Sequence, residues 1–180
     1  MILDGLANCY AALGRHAEAL RIREQILKAY QEAQHKDANG VKGWLLNQLA
    51  WFLATCPDPK FRDPQRAVRL AQQATSHTPP PSMTVGSYWH TLGVAYYRAG
   101  NWKQTLVALE KGFELQQSTV GWDGFFQAMA HWQMGNRDEA RRCYDLADYG
   151  MGMFGPTYQN EELRRFRAEA AELLGLKEKK

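Results

Sequence analysis

A chain of 180 residues with 45% apolar and 23% charged side chains has the composition of a folded globular protein, which excludes disorder over most of its length. Its 22 Lys and Arg against 19 Asp and Glu leave a net charge of +3, too small and too evenly mixed to predict a phosphate-tracking surface, so no nucleic-acid partner is expected. Charged or amide side chains interrupt every apolar stretch before the run of about 18 that a membrane helix needs, so no membrane partner is expected either.

All the predicted elements are helices. The first pair is expected over 2–13 and 16–34, joined at Gly14. Tyr10, Gly14 and Ala19 recur at the same spacing as Tyr96, Gly100 and Thr105, and again as His131, Gly135 and Ala140. The physical meaning is an antiparallel helix pair: small residues such as Ala7 and Ala19, or Gly93 and Thr105, let two helices approach closely. The glycine ends the first helix in a left-handed conformation that it alone adopts cheaply. Met1-Ile2-Leu3-Asp4 has neither the basic start nor the apolar segment of a secretory leader. Cys9, Cys56 and Cys143 are odd in number and far apart, which predicts free thiols and a reducing, cytoplasmic location. The first helix opens without an N-cap, so either the segment belongs to something longer or it self-associates through its N-terminal repeat.

The second pair is expected over 42–55 and 64–76, built on Leu49-Ala50, Leu53 and Ala67. The interval from Leu53 to Ala67 is 14 where the first pair has nine, so five residues are inserted within Cys56–Arg62. Pro57 takes the place of the turn glycine as stop signal, and Asp63-Pro64 restarts the chain as N-cap and first helical residue. After a linker containing Pro79, Pro80 and Pro81, the third pair is expected over 84–99 and 102–116. Gly112 falls inside its second helix at a cost of about 1 kcal/mol relative to Ala, tolerable where two helices cross closely.

The fourth pair is expected over 122–134 and 137–148, followed by a linker over 150–159. Gly150, Gly152 and Gly155 match a GxGxxG pattern, but the pattern follows a helix and no strand precedes it, so it reads as a loop and no cofactor is expected. A last helix over 160–174 opens at Asn160. Leu163, Phe166, Ala170, Leu173 and Leu174 form one apolar stripe on it, with Arg164, Arg165, Glu169 and Glu172 facing water, the pattern of a lid. The five histidines show no metal-ligand spacing with one another or with cysteine, and His131 is expected as a buried neutral imidazole. No nucleophile, base and orienting group stand together, so no catalytic residue and no metal site is expected.

These residues resemble tetratricopeptide repeats (TPR), most specifically in Trp89, Leu92, Gly93, Tyr96, Gly100 and Leu106. The steps from Tyr10 to Leu53 and from Leu53 to Tyr96 are each 43 residues, longer than the usual period of about 34, and resemble the kinesin-light-chain type. The string Asn47-Gln48-Leu49-Ala50-Trp51, with the proline-rich insert after it, is similar to TPR segments of large planctomycete-type bacterial proteins. The resemblance implies an all-α, right-handed superhelical solenoid of antiparallel helix pairs. It would form a single array with repeats at about 1–36, 42–78, 84–117 and 122–149 and a C-terminal capping helix over 160–174. It also implies a concave face, made by the first helix of each pair, that binds a peptide or protein segment. That face would collect Asp4 and Asn8, then Asn47, Gln48 and Trp51, then His90, Val94, Tyr97 and Arg98, and last Trp122, Phe125, Met129 and Trp132. Amides among these suit a peptide backbone and aromatics suit its side chains, while Phe125, Phe126 and Met129 are equally suited to a core stripe. Ser87 and Thr91 stand where a clamp for a terminal carboxylate would want positive charge. The alternative reading is a cis-acting regulatory module of a larger enzyme such as a bacterial serine/threonine kinase.

Overall fold

A computed structural model describes residues 2–32, 40–77, 85–116, 123–153 and 161–176. The described elements are α1 (Ile2–Ala12), α2 (His16–Glu32), α3 (Val41–Thr55), α4 (Pro64–Thr75), α5 (Val85–Arg98), α6 (Trp102–Gln116), α7 (Asp123–Gln133), α8 (Arg137–Met153) and α9 (Glu161–Leu174). A single 3-10 turn spans Pro59–Phe61, and no strand occurs among the described residues. None of these helices is long and apolar enough to cross a membrane.

Each hairpin turns as its local chemistry dictates. Gly14, Gly100 and Gly135 lie at φ +71°, +78° and +84°. Beyond them the amides of Arg15, Asn101 and Asn136 return to the carbonyls of Tyr10, Tyr96 and His131 at 2.8, 2.9 and 2.9 Å, which satisfies acceptors the helix ends would otherwise leave open. In the second pair α3 stops before Pro57, and the Asp63 carboxylate accepts the Arg66 amide at 2.9 Å with Pro64 following as first helical residue.

Within the third pair the helices approach as closely as the small residues allow. A Cβ on Gly93 would lie 2.4 Å from Leu109 Cδ2, and one on Gly112 would lie 2.8 Å from the His90 ring. Gly112 therefore does mark a close crossing. Successive hairpins stack: α2 packs on α3, α4 on α5 and α6 on α7, while α3 also meets α5 and α5 meets α7. The first helices of the last three pairs thus form one layer, against which the second helices pack, and Leu46, Leu49, Leu53, Tyr88 and Leu109 are fully buried in the core.

One boundary differs from expectation. Helix α8 continues to Met153, so Gly150 and Gly152 are helical residues instead of a loop; Gly155 lies outside the described residues. The reason is that the buried stripe of Tyr144 and Ala147 continues through buried Gly150 and half-buried Met151, keeping this stretch against the core.

Candidate functional site

The inner layer of α3, α5 and α7 is crossed by α9. Phe166, at the centre of α9's apolar stripe, is fully buried, edge-on to Trp51 with ring centroids 6.1 Å apart and to Phe126 at 4.9 Å. At the start of α9, Glu162 Oε1 accepts the Trp51 indole N–H at 3.2 Å. Arg165 donates to the Thr55 carbonyl at 2.6 Å, one of the acceptors left open where α3 ends before Pro57. Further along, Glu169 takes both terminal nitrogens of Arg98, with Nη2–Oε2 at 2.7 Å, and the Arg98 guanidinium rests over the Phe126 ring at 5.5 Å. Arg167 reaches across to Asp148 on α8 at 2.5 Å.

The polar side of α9 is thus only partly solvated. Arg164 and Glu172 are exposed as expected, but Arg165 and Glu169 are engaged, because a helix lying across several others finds partners on both of its flanks.

The residues predicted for a ligand face divide into three groups. Val94, Phe125 and Met129 are at most 1% exposed and belong to the core, and Asn47 and His90 are buried as well. His90 sits beneath Gly112 with Nδ1 at 2.6 Å from Asp123. Trp51, Tyr97 and Arg98 do lie on the inner layer, where they meet α9 and α7; burial, reinforced by the Glu169 carboxylate, pushes the Tyr97 hydroxyl up to about 12. Asn8 is exposed and Gln48 half-buried, whereas Trp132 stays by the α7–α8 turn under the Arg137 guanidinium at 3.6 Å. Trp122 and the Asp4 side chain lie outside the described residues.

Part of the inner face remains open where α9 begins. A cleft of about 610 Å³ runs between α1, α2, the end of α3 and the first turn of α9, lined among others by Asn8, Ala12, Arg23, Trp51, Thr55 and Arg165. Arg23 is 8% exposed, donates to Asn8 Oδ1 at 2.5 Å and lies over the Phe52 ring at 5.2 Å. Partial burial pushes the Glu162 carboxyl, also in the lining, above the usual carboxylate range, against the opposing pull of Arg165 and the hydrogen bonds from Trp51 and Thr55. Arg23, Thr55, Glu162 and Arg165 were not among the predicted residues. Arg23 alone carried a local signal: it interrupts the buried stripe of Ala19 and Leu27 at one-turn spacing, where a charge needs a reason.

The fourth hairpin departs from expectation in a further way. His131 is half-buried instead of sealed in the core, and the turn brings it together with Glu139 and Cys143 so that one ligand atom from each lies within 4.8 Å of the others.

The tetratricopeptide-repeat family pattern matches residues 2–37, a stretch that includes α1 and α2. This is a tetratricopeptide-repeat fold. Two solved structures of a kinesin light chain protein of Podosopora anserina with nearly identical TPR-like repeats, one of them a point variant, are similar to this chain. Each is 19% identical to it over 96% of this chain and 85% of that one, with TM-scores of 0.63 and 0.62. No curated protein matches the sequence. TPR arrays stack hairpins into extended surfaces and generally act by holding other polypeptides.

Proposed function

We propose that this chain is a non-catalytic interaction module and that its ligand, an extended peptide or protein segment, enters the inner face at the cleft between α1, α3 and the start of α9. The observation that carries this reading is the cleft itself: the stretch of inner face that α9 leaves open is lined by an amide at Asn8, an indole at Trp51 and opposite charges at Glu162 and Arg165. Such a set offers donors and acceptors to a peptide backbone and an apolar wall to one of its side chains. Of the predicted residues, Asn8 and Trp51 then belong to the site, with Gln48 on the same helix as Trp51.

The test is selection of binders from a displayed peptide library on the full chain, followed by titration of the selected peptide. Ala12 is exposed and lines the cleft, so Ala12→Trp fills the space without disturbing the core. Affinity should fall at least about tenfold, or 1.4 kcal/mol, in Ala12→Trp and in Asn8→Ala. Phe113→Ala, on the other layer, should bind as the wild type does. Equal affinity in Ala12→Trp and the wild type would remove the cleft as the site.

A further inference from the structure

We propose that the α7–α8 hairpin carries a zinc site made by His131, Glu139 and Cys143. Helical spacing puts Glu139 and Cys143 one turn apart on α8, with Cys143 Sγ 4.0 Å from Glu139 Oε1. The left-handed turn at Gly135 then folds α7 back so that His131 faces both.

The donor chemistry selects the metal. A thiolate, an imidazole and a carboxylate together suit zinc, a borderline-soft ion, and not a hard cation that prefers oxygen alone. Tetrahedral zinc with bonds of about 2.0–2.3 Å holds its ligand atoms roughly 3.3–3.8 Å apart. The three donors here lie within 4.8 Å of one another, so closing on the ion takes side-chain adjustments on the order of 1 Å on a hairpin that is already fixed. Three protein ligands leave a fourth position for water or a partner's side chain.

The ion must displace the partners its ligands already hold, and both are exposed: the Asn136 amide nitrogen lies 3.5 Å from His131 Nδ1. Glu139 is held by Arg142 at 2.5 Å, but that guanidinium is 70% exposed, and an exposed pair of this kind is easily exchanged for a metal bond. The repeats supply an internal comparison. The positions equivalent to His131, Glu139 and Cys143 hold Tyr10, Glu18 and Ile22 in the first pair, Leu53, Arg66 and Leu70 in the second, and Tyr96, Gln104 and Ala108 in the third. Packing at these positions requires none of the three donors, and only the fourth pair has them all.

The experiment is titration of the reduced, untagged, metal-free full chain with cobalt(II) and then zinc(II). Wild type should bind one equivalent and show a thiolate-to-cobalt charge-transfer band with the ligand-field bands of a tetrahedral ion. Cys143→Ser should lose the charge-transfer band. His131→Tyr restores the residue type of the first and third pairs, so it should fold normally, and should weaken zinc binding by about tenfold or more. Cys9→Ser, an exposed thiol elsewhere, should change neither reading. Absence of the band in the wild type, or its survival in Cys143→Ser, would overturn the site.

Discussion

Arg98 is 9% exposed at its side chain and Glu169 33%, so the guanidinium depends on that carboxylate far more than the reverse. Glu169→Ala should therefore destabilise the fold by about 2–3 kcal/mol in urea unfolding at neutral pH, because it leaves a buried charge uncompensated. Arg98→Met combined with Glu169→Leu should recover most of that loss. A Glu169→Ala variant within about 0.5 kcal/mol of wild type would show that the pair behaves as an exposed one. Glycines give a contrast of the same kind. Gly93→Ala drives a methyl group into Leu109, whose Cγ is 2.6 Å and backbone nitrogen 3.3 Å from the new Cβ, and should lose about 1–3 kcal/mol. Gly5, in α1 with nothing within 4 Å, should gain about 0.5–1 kcal/mol on replacement by Ala, both values read from urea midpoints. What could be read at this scale follows chain distance. Gly14, Pro57 and the Asp63 cap act within a few residues of themselves and are legible in sequence. Arg165 finds Thr55 110 residues away and Glu169 finds Arg98 71 away, so nothing local announces either pair.

At the scale of elements, α9 is the helix whose role the sequence left least determined. Its apolar stripe predicted a lid, but a stripe says which face is buried and not which neighbours it is buried against. Core residues such as Phe125 and Met129 were indistinguishable from ligand contacts for the same reason. Docking of α9 should depend on pH through Glu162, whose carboxyl is held above the usual range in the folded chain. The folded state then takes up a proton ahead of the unfolded one. Its contribution to stability is full below the ordinary carboxylate pKa and is lost as pH rises through the raised value. The difference in melting temperature between wild type and Glu162→Gln should therefore shift in favour of wild type as pH is lowered from neutral towards the ordinary carboxylate range. A difference that is constant over this range would mean Glu162 titrates as an ordinary surface carboxyl.

Over the whole molecule, the stacked hairpins create an inner face and the chain then occupies much of it with its own last helix. A tethered segment acts at an effective concentration in the millimolar range, so a free copy of α9 added to the wild type competes poorly. Phe166→Ala changes that balance. It removes a fully buried ring that touches both Trp51 and Phe126, at about 3–5 kcal/mol, and much of that loss falls on the docking of α9 instead of on the hairpins. A labelled peptide spanning residues 160–174 should bind the Phe166→Ala protein, with a rise in fluorescence anisotropy that saturates, and should not bind wild type over the same concentrations. The same peptide carrying Phe166→Ala should bind neither. Equal uptake by the two proteins would mean that α9 does not compete for the inner face. The proposed ligand cleft, which lies on the α1 side of Trp51 and is left open by α9, would be untouched by that outcome.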